Sequence, residues 1–312
     1  MHNLTQDGLI PQQRCAVALG LFDGVHIGHQ AVIRRAASLR ARGYAAAVFT
    51  FQTDSVTSKG RDGRLEMLLS DEMKWEKFER LGVDYLYTPP FSALKDMPPE
   101  EFVRSVLRGR LNACAAVCGE DFRFGRGARG DCYELKALGA RYGIDVEILT
   151  HTVYHGAPVS STAIRQAVRA GEIESANAML GYPFGFRLPV VHGNAIGRKL
   201  NFPTINQLIP NGLVLPRFGV YAANAMVNGV SYRAVTNVGV KPTVSETDIR
   251  PCAETYLIDF NGDLYGQTVD VGLIGFLRAE QKFPSLEALK EQIAADLTRA
   301  DAFFSQQADS AE

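Results

Sequence analysis

The first half of the chain alternates short apolar runs with stretches of helical spacing. Cys15–Gly20, Ala46–Phe51, Tyr85–Thr88, Ala113–Gly119 and Val146–Thr150 are apolar, short and bounded by turn or polar residues, which predicts buried strands. Ala31–Ala41, Glu72–Leu81 and Pro99–Leu107 lie between them and read as helices. The last begins with prolines suited to a first turn and gathers Phe102, Val106 and Leu107 on one side. Such alternation predicts a parallel sheet with right-handed crossovers and helices on both faces. Ligands of these sheets bind beyond the carboxyl ends of the strands, so the loops after Gly20, Phe51 and Gly119 form the expected functional edge.

From about Phe184 the pattern changes. Strand-like runs now follow one another directly: Phe186–Val191, Val220–Val227, Val230–Asn237, Thr255–Phe260 and Val269–Phe276. Asn228-Gly229 and Asn261-Gly262 sit between such runs and signal hairpins. With little helix available to cover it, this half predicts a small antiparallel barrel. A closing helix capped by Ser285 carries Leu286, Leu289, Ile293 and Leu297 as an apolar stripe that docks on the barrel, and a polar, frayed tail follows Phe304. The boundary falls at Leu180 to Phe184, giving units 1–183 and 184–312.

Bulk properties narrow the class. A length of 312 residues suits two domains, and 46% hydrophobic with 21% charged residues is ordinary for a globular chain. The net charge of -1 favours neither nucleic acid nor an anionic membrane. Cys15, Cys114, Cys118, Cys132 and Cys252 form no C-x-x-C pair, so reduced thiols are expected rather than a disulfide framework or zinc site. The first apolar run, Ala16 to Phe22, has no basic stretch before it and is broken by Asp23 and Gly24, so no signal peptide is read. No stretch reaches the ~20 apolar residues of a membrane span. A cytoplasmic enzyme is expected, its oligomeric state left open.

Chemistry concentrates first in Gly20-Leu21-Phe22-Asp23-Gly24-Val25-His26-Ile27-Gly28-His29, which leads from the first strand into a helix. Glycines let the backbone approach phosphate oxygens, and the helix start offers free N–H groups. His26 and His29, three apart, share a face and can donate to oxygens that gain charge as an α-phosphate is attacked. A glycine turn with two incidental histidines has the same spelling. Ser160-Ser161-Thr162-Ala163-Ile164-Arg165 makes a second helix start with an arginine one turn on, which alone is commonly just a capped helix. In this order the pair resembles the nucleotidylyltransferase superfamily, whose H-x-G-H and S-S-T-x-x-R segments grip ATP from opposite sides. Asp121-Phe122-Arg123-Phe124-Gly125 resembles the D-F-x-F-G segment of bacterial FAD synthetases. Its phenylalanines would line a flat ligand or, equally, cap a core.

The second half carries Val191-His192-Gly193, Gly197-Arg198 and Asn201-Phe202-Pro203-Thr204-Ile205-Asn206. These resemble the riboflavin kinase signature G-R-x-L-G-F-P-T-A-N. The likeness continues through Phe218-Gly219-Val220-Tyr221, Asn237-Val238-Gly239, Pro242-Thr243, Glu254, Asp259-Phe260, Asp263-Leu264-Tyr265-Gly266 and Phe283. The whole chain therefore resembles the bacterial bifunctional riboflavin kinase/FAD synthetase family. That resemblance implies a Rossmann-like nucleotidylyltransferase domain followed by an all-β kinase barrel, acting on riboflavin, FMN, FAD and ATP with Mg²⁺. It assigns catalysis to His26, His29, Arg165 and Glu254, with Glu254 as general base. It puts Phe22, Asp23, Gly24, Gly28, Ser160, Ser161 and Thr162 around one ATP. Gly193, Gly197, Thr204 and Asn206 fall around the other, Thr204 and Asn206 also holding Mg²⁺. The flavin falls to Asp121, Phe122 and Phe124. No P-loop motif is present.

The chain departs from the family in places. Where T-F-x-P-H-P is usual it reads Thr50-Phe51-Gln52-Thr53-Asp54-Ser55, without the histidine or the prolines, which implies slower or altered FAD synthesis. Asn201 stands for a glycine, Ile205 for an alanine and Lys241 for an arginine. Two rival readings are an adenylyltransferase for another small phosphate, which needs no barrel, and a flavin-binding sensor, which needs no Glu254 or paired histidines.

Overall fold

The computed structural model describes residues 1–52, 66–193, 197, 202–242 and 249–309, and every count below is of these residues. The departures at Thr53, Asp54, Ser55 and Asn201, together with Arg198 and Thr243, lie outside them. The chain divides into two compact units, Met1–Ser161 and Thr162–Glu312.

In the first unit, β1 (His2–Asn3), β2 (Cys15–Leu19), β3 (Ala45–Phe49), β4 (Tyr85–Tyr87), β5 (Ala113–Gly119) and β6 (Asp145–Leu149) form one sheet. Every pairing is parallel, in the order β1-β4-β3-β2-β5-β6. All five residues of β2 and of β3 are buried, as expected of a parallel sheet covered on both faces. Helix α1 (Ile27–Ser38) packs through Val32, Ile33 and Ala36. Helices α3 (Phe102–Arg110) and α4 (Cys132–Arg141) bury Phe102, Val106, Leu107, Leu135 and Leu138 against Cys15, Val17 and Leu19. Helix α2 (Asp71–Arg80) is capped by Ser70. The chain leaves β2 toward β3 and β5 toward β6, on opposite sides of their shared line. That makes β2/β5 the switch point, where the following loops open a crevice. Strand β1 and helix α4 are among the elements that were not expected. Strand β1 is too short to show a period, and α4 is announced chiefly by its cap, Asp131, which accepts from Tyr133 N and Glu134 N.

Helix α5 (Ser161–Ala170) starts at the last residue of the first unit, and α6 (Ile173–Leu180) lies in the second. Strands β7 (Gly185–Pro189), β8 (Thr204–Leu208), β9 (Gly219–Val227), β10 (Val230–Pro242), β11 (Ile249–Leu257) and β12 (Thr268–Ala279) follow, then helix α7 (Leu286–Asp309). The strands pair antiparallel in the order β7-β12-β9-β10-β11-β8, and a Val191–Asn206 bridge brings the two ends together into a nearly closed barrel. Tyr221, Ala223, Ala225, Ala234, Thr236, Val238, Ala253 and Thr255 are buried. The Thr236 and Thr255 hydroxyls satisfy each other at 3.0 Å. The face carrying Val220, Ala222, Val235 and Ile274 is covered by Leu297, Ala300, Phe303 and Phe304 of α7. Ser285 Oγ accepts from Ala288 N at 3.1 Å, as its capping role requires.

Several sequence expectations are corrected here. Asn228-Gly229 does make a two-residue hairpin turn, with φ of 50° and 81° and Val227 facing Val230. Asn261-Gly262 does not. The chain between Leu257 and Thr268 is a loop tied down by buried Leu264 and by Phe260 against the Tyr232 ring. The strand read as Thr255–Phe260 runs Ile249–Leu257, and β8, which Pro203 immediately precedes, was not read as a strand. Helix α7 continues to Asp309, past the expected fraying point, with Phe303 and Phe304 in its buried stripe. Leu286 stays exposed. Among the described residues no helix is long and apolar enough to cross a membrane.

Gly185 faces Gly272 across β7–β12, where an added side-chain carbon would run into the Val271 carbonyl oxygen and stand 2.8 Å from Gly272 Cα. Gly185→Ala is therefore expected to destabilise the barrel by about 1–3 kcal/mol, read as a lowered denaturant midpoint with unchanged slope.

Candidate active sites

The loop after β2 is strained and heavily tied down. Phe22 and Val25 adopt left-handed backbone, with φ of 53° and 36°. For a β-branched valine that is an outlier costing on the order of 1–3 kcal/mol, sustained only when neighbours over-determine it. Here they do. Asp23 is buried; its Oδ1 accepts from Leu68 N at 2.8 Å, and its carbonyl accepts from Ser161 Oγ at 2.8 Å. Gln30 Nε2 donates to Val25 O at 3.0 Å. The Leu21 carbonyl accepts from Thr50 Oγ1 at 2.8 Å and from Lys74 Nζ at 3.2 Å.

His26 and His29 are brought together as their spacing predicts. His26 caps α1, its Nδ1 accepting from His29 N at 3.3 Å, and the two rings stack with centroids 3.5 Å apart. That bond assigns the His26 proton to Nε2. Burial pulls the His26 imidazole down to about 4. It pulls His29 well below 6.5, helped by His26 and by the Lys74 charge. Both rings are neutral donors at pH 7 rather than cations. Buried His29 Nδ1 has no hydrogen-bond partner among the described residues, an atom left for a ligand or water.

Of the second motif, Ser161 reaches this loop through its bond to Asp23. Thr162 follows it in α5, and Arg165 lies buried one turn further along that helix. Ser160 directly precedes the helix. Gly28 lies in the first turn of α1, and buried Gly24 in the strained loop. Asp121 is exposed on the loop after β5, and Phe122 is half-buried beside it. Phe124 is 6% exposed and packs on Phe102 in the core, so its larger contribution is packing.

Lys74 is the residue that sequence reading missed. It is wholly buried, with Nζ 3.4 Å from Thr50 Oγ1 and 3.9 Å from Asp71 Oδ1. Burial lowers its pKa, against the pull of Asp71 and Asp23. Its signal was present as a lysine set between Met73 and Trp75, but only packing shows that this position faces inward.

In the barrel, register assembles the site. Residues directly paired in antiparallel strands project from the same face. Asn206 pairs with Glu254, and Glu254 with Asn237, so β8, β11 and β10 present one amide–carboxylate–amide row. Thr204 pairs with Tyr256 one step along that face. The row continues through Val220 to Arg278. These groups line a cavity of about 320 Å³ closed by Leu289 and Ile293 of α7. Arg278 Nε meets both Asp296 carboxylate oxygens at 2.9 Å, a largely buried forked pair joining β12 to α7 beside the cavity. Asp296 was legible as a carboxylate inside the apolar stripe, one position before Leu297. Thr204 also lines a second cavity of about 290 Å³ with Val190, Leu257, Asn261 and Leu264. Gly197 lines the first cavity, and a side-chain carbon at Gly193 would stand 2.6 Å from the Asn206 amide.

No group of three or more His, Cys, Asp or Glu able to hold a metal occurs among the described residues. A cation here would rely on neutral oxygens, one carboxylate and its ligand's own phosphates. Thr204, Asn206 and Glu254 supply hard oxygen donors on one wall, which fits Mg²⁺.

A switch-point loop carrying two stacked neutral histidines, joined in one chain to a barrel with a carboxylate set between two amides, points to a two-domain nucleotide-dependent transferase. Residues 10–163 match the FAD synthetase family model and residues 180–304 match the riboflavin kinase model. The bifunctional riboflavin kinase/FMN adenylyltransferase of Bacillus subtilis is 36% identical over 94% of each chain. Its Escherichia coli counterpart is 35% identical over 97% of this chain and 96% of its own. A crystal structure described as a macrolide-efflux protein from Streptococcus pneumoniae superposes with a TM-score of 0.84 at 31% identity, covering 95% of this chain and 96% of that one. The chain belongs to the bifunctional riboflavin kinase/FMN adenylyltransferase family.

Two outcomes follow from the first site. Both histidines have folded-state values below the 6.5 of an exposed imidazole, so below pH 6.5 the unfolded chain binds more protons. The stability they permit is complete above 6.5 and is lost as pH falls toward 4. The thermal midpoint of the first unit is expected to drop between pH 6.5 and 5, and His26→Gln to flatten that slope. Lys74→Met keeps the apolar stem but removes a charged donor. Amide exchange at Val25, whose N–H bonds Phe22 O at 3.2 Å, is expected to quicken by roughly tenfold or more.

Proposed function

We propose that the barrel phosphorylates riboflavin to FMN, and that the parallel-sheet domain adenylylates FMN to FAD with release of pyrophosphate, ATP serving both. The row Asn206–Glu254–Asn237 beside Thr204 carries this reading, because it sets one carboxylate among phosphate-compatible groups inside a cavity. Glu254 is the acceptor for the flavin hydroxyl proton as oxygen attacks the γ-phosphate. The flavin then occupies the cavity that contains Glu254. The nucleotide occupies the neighbouring one, and transfer takes place across Thr204, common to both. Mg²⁺, held by Thr204 and Asn206, would neutralise polyphosphate charge.

In the other domain no covalent intermediate is needed. Neutral His26 and His29 donate hydrogen bonds to phosphate oxygens as the FMN phosphate attacks the α-phosphorus and pyrophosphate leaves. Ser160 and Ser161 serve the same nucleotide at the start of α5. Phe22, Asp23, Gly24 and Gly28 shape the loop around it. Asp121 and Phe122 face the flavin. A second reading, a riboflavin kinase with weak FAD synthesis, is favoured by Thr53-Asp54-Ser55 standing where the family carries a histidine between prolines.

Chromatography of the purified chain with riboflavin, Mg²⁺ and ATP tests both. FMN followed by FAD is expected, and FMN accumulating alone would select the second reading. Glu254→Gln is expected to suppress FMN formation by on the order of a hundredfold while sparing FAD formation from supplied FMN, and His29→Ala the reverse. Loss of both reactions in either folded variant would refute this division of labour.

A further inference from the structure

Neither reaction uses a groove of about 530 Å³ in the first unit. It lies at the amino-terminal edge of the parallel sheet, the edge opposite the one that carries the His26 loop. Arg14 stands immediately before β2, Tyr44 before β3, and Asp145 opens β6. Arg108 comes from α3 and Lys136 from α4. Three cations thus line one groove with a single carboxylate, and that carboxylate already has Arg42 Nη1 at 3.8 Å. The side chains of Arg14 and Lys136 have no hydrogen-bond or ion-pair partner among the described residues. Arg108 spends one nitrogen on Ala113 O at 3.2 Å and on Cys114 Sγ at 3.3 Å, leaving the rest of its fork available.

Like charges converging on one concavity repel, and an anion between them removes that repulsion. Guanidinium forks suit phosphate oxygens in particular. Beside the cations the walls are Tyr44, Ile144 and Val146, an aromatic ring and two aliphatic side chains. The volume falls within the roughly 300–1,000 Å³ usual for small-molecule sites. We propose that this groove is a second ligand site of the first unit, for a phosphate monoester of mononucleotide size. The phosphate lies among Arg14, Arg108 and Lys136, and the ring against Tyr44. The class includes the flavin mononucleotide and free nucleoside monophosphates.

Cys114 reports on the groove directly. It lines the cavity and is half-buried, whereas Cys15, Cys118, Cys132 and Cys252 are buried. Maleimide labelling of the full chain, followed at the Cys114 peptide, would be run with FMN, 5′-AMP and inorganic phosphate in turn. Ligand at about ten times its half-saturating concentration is expected to slow labelling by roughly tenfold. Arg14→Glu with Lys136→Glu is expected to abolish that protection while leaving FMN and FAD formation at wild-type rates, since neither residue belongs to the two reaction sites. FMN protecting at lower concentration than AMP identifies the flavin as the source, and the reverse identifies a free nucleotide. Inorganic phosphate protecting as well as either overturns the mononucleotide part. No protection by any of the three, or undiminished protection in the double variant, overturns the site. Should Cys114 not react in the free chain, calorimetric stoichiometry of 5′-AMP binding in the two proteins decides instead: one fewer site in the variant supports the groove, and equal numbers refute it.

Discussion

An ammonium group sealed from water must find oxygen atoms nearby, and in this protein that requirement shapes the first site. Lys74 is wholly buried, and its nitrogen is shared between the Leu21 carbonyl and the Thr50 hydroxyl, with Asp71 a little further off. Those atoms belong to the segments leaving β2 and β3. Fixing them holds Phe22 and Val25 in backbone conformations they would otherwise leave. The stacked histidines follow from that bend, because His26 can cap α1 only where the loop ends.

The same neighbourhood decides how the histidines act. Two rings 3.5 Å apart, desolvated and close to a buried cation, cannot readily carry charge themselves. They are neutral donors whose positions are set in advance, an arrangement that needs little reorganisation in the role proposed for them. In the phosphate-binding role proposed for this loop, the start of α1 adds its own free N–H groups.

The barrel solves a related problem by register. Thr204, Asn206, Asn237 and Glu254 come from three strands, as much as fifty positions apart in sequence, yet antiparallel pairing turns them toward one face. Helix α7 makes that face a cavity. The Arg278–Asp296 pair holds the helix at the edge of the row, while Leu297, Ala300 and Phe303 supply the apolar contact. Two charges almost withdrawn from water are tolerated because the fork satisfies both carboxylate oxygens at once.

Local order was legible in the chain itself. Buried strands, the change of architecture near Phe184, the Asn228-Gly229 turn, the Ser285 cap and the H-x-G-H and P-T-x-N segments are written in neighbouring residues, because propensity, turn chemistry and capping act over a few positions. What those residues left undecided was anything set by partners distant in sequence. Lys74 is an ordinary helical lysine until Leu21 and Thr50 fold over it. Asn261-Gly262 has the spelling of a hairpin but is drawn into a loop by Leu264 and Phe260. Phe124 could have lined a ligand or filled a core, and contact with Phe102 puts it in the core. Strand β8 follows a proline and shows no period, so it exists only because β11 is there to pair with it. Tertiary structure decided these cases, since burial and register are properties of the surroundings, which a short stretch of sequence does not contain.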